Sequence, residues 1–453
     1  MYRLLVLAGL AQALLLAGCS WIGSASRDVI GSTTDAAPPA GYVVGDEPYA
    51  VRAGAEVLAT GGNAVDAVTA VFFALSVTYP VAAGLGGGGL CIVRNAQDNQ
   101  TDEIDFPARD AAQGGAYAVP GAVNGFAVMQ SRYGKLPWQR DVAAGEGLAA
   151  TGFPISHALA GRLAENQNQI RLDAGLAAEF IDETGQVRTE GTSVNNPALA
   201  QTLAAVRQKG PGGFYDGSIA TKLVAYSSSE GGTISLADLK AYAAARSDPA
   251  TMSIGSQTVF LPSRNVGAGA FVAALLSRLV DAQGNVSAGD DLAAAVASST
   301  KGAMDELHYA SLPRDLGATG FAATDARGGA VACAVSMNGP FGSGHTAVDT
   351  GVTLARAPAS GDAALASKFL TPAVAESAGT LSLAGAGAGG PNGSAALALA
   401  ILKLARGIDI GEPGQIHSTG IAPYDTVNVI ACQNGKCVAV PDPGASGLGL
   451  AAQ

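Results

Sequence analysis

Residues 317–344 read GATGFAATDARGGAVACAVSMNGPFGSG, and no other stretch limits the fold as strongly. A short alternating run at 321–324 meets the turn cluster DARGG at 325–329, whose two glycines can adopt φ > 0. A second apolar run occupies 330–335. Two strand-compatible runs joined by a glycine-bearing loop predict a hairpin that ends in the loop NGPFGSG at 338–344. Thr319 then begins a central strand, and Asn338 stands at the far end of its neighbour.

Residues 46–94 are the next most informative. A short helix over 52–61 ends at Gly61 and Gly62, and Asn63 caps a second helix from Ala64 to about Val77 that is apolar nearly all round and so buried. The run GLGGGG at 84–89 precedes a strand over 90–93. It follows a helix and lacks Gly-Lys-Ser/Thr, which argues against a phosphate loop. Further on, helical spacing marks 141–148, 156–167, 197–209, 219–226, 268–282 and 290–307, while 252–261 reads as strands. Ser235 and Asp238 form a capping-box pattern.

The N-terminal residues read as a targeting segment. A basic start at Arg3, an apolar run at 4–16 and LAGC at 16–19 predict a lipoprotein leader over 1–19, with Cys19 lipidated. The expected location is the bacterial envelope, at the outer membrane facing the periplasm or the exterior, with the lipid as the sole membrane attachment. Residues 20–45 are read as a flexible tether and 46–453 as one domain. With 48% hydrophobic and 14% charged residues the body can bury a large core, and a net charge of −11 argues against nucleic acid as partner. Cys432 and Cys437 flank an Asn-Gly hairpin turn and are expected to form a disulfide. Cys91 and Cys333 sit in apolar runs and read as buried thiols. The four histidines are scattered, so neither a metal nor a cofactor is expected.

The hairpin, together with LATGGNAVDA at 58–67 and GLGGGG at 84–89, resembles the γ-glutamyltranspeptidases, which are N-terminal-nucleophile hydrolases. VPGAV at 119–123, YGKLPW at 133–138, NPALAQTL at 196–203, GFYDG at 213–217 and GGTISLADL at 231–239 extend the resemblance. It implies an α+β fold, a four-layer αββα sandwich, in which 46–318 correspond to the large subunit and 319–453 to the small one. It also implies self-cleavage that exposes a threonine, whose freed α-amine serves as base to its own hydroxyl.

Two departures accompany the resemblance. Aligned on Phe321, the nucleophile position falls on Ala318, so Thr319 serves only if the chain opens at the Ala318–Thr319 bond. The segment before the hairpin is also short, with 311–318 alone between Tyr309-Ala310 and Thr319. The resemblance assigns Gly389 and Gly390 as the oxyanion hole, Ser336 and Asn338 as support for the nucleophile and the substrate, and Arg109 as carboxylate clamp. An ion pair of Arg109 with Asp105 or Asp110 is the plain alternative. At the family's α-amino pocket this chain has Arg356 and Lys368 in place of acceptors or neutral hydroxyls, and Asp362 is the nearby carboxylate, free to pair with Lys368. Three readings remain open: a hydrolase or transferase acting on γ-glutamyl compounds such as glutathione, an uncut relative binding a small acidic ligand, and a structural envelope lipoprotein.

Overall fold

The computed structural model describes residues 38–287, 289–309, 311–411, 415–417 and 424–453. Cys19, the expected leader and most of the expected tether lie outside the described residues. In chain order the principal strands are β1 Gly41–Gly45, β2 Gly88–Arg94, β3 Thr101–Phe106, β4 Ala245–Ser247, β5 Ala250–Ile254, β6 Gln257–Leu261 and β7 Ala318–Asp325, followed by β8 Ala330–Ser336, β9 Thr371–Ser377, β10 Thr380–Ala388, β11 Thr426–Gln433, β12 Lys436–Val440 and β13 Leu448–Ala452. They form two antiparallel sheets, ordered β13-β1-β7-β8-β2-β3-β4 and β12-β11-β10-β9-β6-β5.

The hairpin read from the sequence is β7–β8 at the centre of the first sheet. Its turn is held by Asp325, whose Oδ1 accepts from the N–H groups of Arg327 and Gly329. Strand alternation sends Ala318, Gly320 and Ala322 to one face and Thr319, Phe321 and Ala323 to the other. The first face meets the second sheet: Ala322, Ala332 and Ile92 pack with Val374, Ala384 and Ile430, and Ala318 and Ala334 pack with Ala386 and Ala388. The alanines leave little bulk between the sheets, so their backbones approach closely.

The other face is covered by helices, chiefly α1 Pro48–Ala59 and α2 Ala64–Thr78. All fifteen residues of α2 are buried, as its all-round apolarity requires, and Asn63 and Asp66 close a capping box at its start. Three further helices, α3 Gly269–Leu276, α4 Leu292–Glu306 and α5 Pro391–Ala405, pack with residues of the second sheet in a separate core. The layers are therefore helix, sheet, sheet, helix, the α+β sandwich expected.

Two expectations are corrected. The tether does not extend to residue 45, because Gly41–Gly45 is β1, with Val43 in the helix-side core and Val44 between the sheets. Cys91 and Cys333 are not thiols: they are register partners on β2 and β8 and form a disulfide across 242 residues. The disulfide between Cys432 and Cys437 is present, around a turn with Asn434 at φ 51° and Gly435 at φ 75°.

Candidate active site

Strand register decides which residues face one another at the site. Gly320, Ala334, Leu90 and Asp105 are successive partners across β7, β8, β2 and β3, and therefore share the face turned to the second sheet. Leu90 and Asp105 line a cavity of about 360 Å³, together with Arg109, Asn338, Lys368 and Leu370. Leu370 also packs against Ala318. Thr319 belongs to the adjacent row, with Val335, Gly89 and Phe106, and its side chain leaves on the opposite face.

The cavity's charged groups are unusually free. The Arg109 guanidinium lies 4.8 Å over the ring of Tyr242, whose hydroxyl donates to the Pro107 carbonyl, and it forms no ion pair among the described residues. The alternative of a plain ion pair with Asp105 or Asp110 is thus not realised. Lys368 is exposed and likewise unpaired among the described residues, because Asp362 pairs with Arg356 at 3.2 Å instead. Asn338 adopts φ 58°, receives its position from an N–H bond to Ser336 Oγ, and donates Nδ2 to the Arg356 carbonyl at 2.8 Å. Burial and the nearby Glu103 push Asp105 up to about 6, against the opposing pull of Arg109.

Thr319 enters a network of paired polar groups. Thr319 is fully buried and donates to Asp46 Oδ2 at 2.6 Å. Asp46 also accepts from Thr426 at 3.0 Å and from Asn428 Nδ2 at 2.6 Å, and Asn428 Nδ2 reaches the Gly320 carbonyl as well. Burial raises the Asp46 carboxyl above its usual range, and the three donors oppose that rise.

The segment entering β7 is clamped. Both oxygens of Asp315 accept from Nη2 of the fully buried Arg162, at 2.8 and 2.7 Å, and Arg162 lies between the rings of Tyr79 and Tyr424. Asp315 Oδ1 also accepts from the Gly317 N–H. Gly317 takes φ 57°, and a Cβ there would lie 2.0 Å from the Gly339 carbonyl oxygen, so only glycine fits. Its own carbonyl accepts from the Met337 N–H and from Ser336 Oγ.

Gly389 and Gly390 join β10 to α5, immediately after Ala388. Gly389 has φ 87°, and a Cβ would meet the Tyr424 carbonyl oxygen at 1.6 Å. The neighbouring Asp425, pushed up to about 6 by burial, accepts from Asn392 Nδ2 at 3.0 Å.

The gamma-glutamyltranspeptidase family model matches residues 50–290, more than half of the chain. The chain belongs to the gamma-glutamyltranspeptidase family. It is 32% identical over 235 residues to glutathione hydrolase 3 of Arabidopsis thaliana, covering 48% of this chain and 37% of that protein. It is also 32% identical over 265 residues to the acylase ACY 1 proenzyme of Pseudomonas sp. (strain V22), covering 53% of this chain and 47% of the other. The chain thus spans less than half the length of these curated relatives. Among solved structures, cephalosporin acylase from Bacillus halodurans superposes with a TM-score of 0.70 over 92% of this chain and 96% of that one; at 16% identity the likeness speaks for the fold.

Within this gamma-glutamyltranspeptidase-family fold, Ala318 shares a cluster with Ala334, Leu370, Ala386 and Ala388, next to the Gly389–Gly390 turn. Thr319, expected as nucleophile, points instead to Asp46, because a one-residue offset along a strand reverses the face. Ser336 supports the 316–317 carbonyls rather than Thr319. Arg109 and Asn338 do come together, and Lys368 joins them. Sequence reasoning missed Asp46, Arg162 and Asp315. Asp46 sits beside Glu47, the N-cap of α1, and nothing local tied it to a threonine 273 positions away.

Proposed function

We propose that this chain binds a small γ-glutamyl or acyl-amide compound through a carboxylate held by Arg109 and Lys368, and that it hydrolyses or transfers that acyl group only after opening at the Ala318–Thr319 bond. The convergence of Arg109, Asn338 and Lys368 on one cavity carries the binding half. A planar guanidinium stacked on Tyr242, with no ion pair among the described residues, suits a ligand's two oxygens. Family membership supports the chemical half. Opening the chain would release Thr319 from the strand geometry that now fixes its direction and would supply the α-amine that this chemistry uses as base. Glutathione is the finer assignment within this class.

A second reading, an uncut chain that binds the same ligands without turnover, is favoured by the complete burial of Thr319 and by the Arg162–Asp315 clamp on the segment that would have to open. Intact mass of the purified chain, read alongside a chromogenic γ-glutamyl amide assay, separates the two. Turnover that accompanies a fragment beginning at Thr319, and is lost in Thr319→Ala, supports the first; an intact chain that binds glutamate without turnover supports the second. The LAGC motif supports placing either activity at the bacterial envelope through a lipid on Cys19; loss of fatty-acid labelling in Cys19→Ser is the expected outcome.

A further inference from the structure

A division of the chain at residue 319 runs through the sheets rather than between them. In the first sheet β1, β2, β3 and β4 precede that residue, β8 and β13 follow it, and β7 straddles it, so the two parts alternate across the sheet. The pairing of β8 with β2 therefore joins one part to the other, along a ladder that runs from Ala330 opposite Arg94 to Ser336 opposite Gly88. Cys333 and Cys91 are the middle pair of that ladder, and their disulfide crosses the division. The other disulfide among the described residues, Cys432–Cys437, lies wholly within the second part. Cys91 and Cys333 are fully buried in the helix-side core with Val93, Phe321 and Val331, whereas Cys432 and Cys437 are partly exposed.

We infer that the Cys91–Cys333 disulfide is a covalent cross-link between the two parts, so that opening the backbone at the Ala318–Thr319 bond leaves one covalent molecule with β8 still pinned in register on β2. Its role rests on the reading that the chain opens there; its existence does not. Hydrolysis breaks the amide C–N bond, water supplying a hydroxyl to the Ala318 carbonyl carbon and a hydrogen to the Thr319 nitrogen, and neither part departs. The fragment beginning at Thr319 is then released only under reducing, denaturing conditions. The start of β7 gains freedom on opening, while Ser336, three residues beyond Cys333, keeps its place opposite Gly88. A one-residue slip of β8 would reverse its faces, and a cross-link in the middle of the ladder prevents that slip. Unfolding of the opened protein also stays unimolecular, because the parts cannot diffuse away from each other.

The test is a peptide map of the full chain, denatured without reductant, its free thiols blocked, and cut after methionine with cyanogen bromide. Cys91 then lies in the fragment ending at Met129 and Cys333 in the fragment 305–337. The two are expected as one linked pair that separates on reduction. A partner that begins at Thr319 rather than at residue 305 supports the cross-link and the opening together. Fragment 305–337 whole within the pair supports the cross-link and overturns the opening. A blocked thiol at Cys91 or Cys333, or either one joined to another cysteine, overturns the inference whatever the state of the backbone. On the folded protein, a phosphine reductant with a maleimide is expected to label Cys432 and Cys437 at least about tenfold faster than Cys91 and Cys333, because access limits the exchange; equal rates would overturn the buried placement. The melting temperature of the opened protein is expected to hold over roughly a hundredfold dilution and to fall on dilution in the Cys91→Ala, Cys333→Ala double variant. A fall on dilution in the opened wild type overturns the inference, and the peptide map decides alone if the double variant does not fold.

Discussion

The cavity face and the Thr319 face of β7 are separated by one residue, and they treat charge in opposite ways. On the cavity face Arg109 and Lys368 stand exposed without ion-pair partners among the described residues. Around Thr319, the buried carboxylate of Asp46 collects three donors, two of them, Thr426 and Asn428, from β11 of the second sheet, and Arg162 and Asp315 neutralise each other on the segment that enters β7. A buried charge must be paired or it destabilises the fold, so a satisfied network is accounted for by folding alone. Exposed, unpaired cations converging on a concave surface are not accounted for in that way, and they mark where a ligand is expected. The contrast teaches that the threonine with the most interesting sequence position is held in a buried network, whereas the less conspicuous cations are the groups we propose for recognition.

The contrast breaks most visibly if the buried network proves dispensable. Asp315→Ala strands the Arg162 guanidinium in the interior and is expected to cost about 3–5 kcal/mol, read from the urea midpoint; a cost below about 1 kcal/mol would show that the clamp on residues 315–317 is not what holds the segment. Asp46→Ala leaves Thr319 and Thr426 without their acceptor and Asn428 with only the Gly320 carbonyl, and about 3 kcal/mol is expected by the same measurement.

Asp141 sharpens the rule, because it is fully buried and neither of its oxygens has a hydrogen-bond partner. Burial and the neighbouring Asp66 push it up to about 9, so it is protonated near neutral pH. Its ordinary value in the unfolded chain is about 3.9. The sign follows: its contribution is fully present below that value and is lost as pH rises towards 9. Between pH 6 and pH 9 the wild type is expected to lose stability relative to Asp141→Asn, by on the order of 1 kcal/mol per pH unit. A constant difference between the two proteins would mean that an ionised carboxylate is tolerated there. The smallest effect belongs to the cavity, where Lys368→Ala is expected to change stability by less than about 0.5 kcal/mol, since the side chain is exposed and has no ion-pair partner among the described residues.

How much of this was legible in the sequence depends on range. The hairpin, the cap at Asn63, the buried helix after it, the capping box of Ser235 and Asp238 and the Asn-Gly turn between Cys432 and Cys437 follow from local patterns and appear as expected. Whatever depended on register between distant strands did not. Cys91 and Cys333 read as separate buried thiols because nothing in either strand specifies that the two lie opposite each other. Tyr42, Val43 and Val44 form too short a run to show a period, so β1 merged with the tether. Arg109 and Asn338 were found through resemblance, but that Lys368 would be left unpaired depended on Asp362 choosing Arg356, a competition that only the folded chain decides.

The most direct test of the account is to place the uncut full chain, verified by intact mass, in parallel binding and turnover measurements with one γ-glutamyl amide. The account expects saturable binding that Arg109→Ala weakens and no amide cleavage until a fragment starting at Thr319 appears. Turnover by the unbroken chain would contradict it, because the only threonine hydroxyl at the start of β7 would then be acting from the wrong face of the strand.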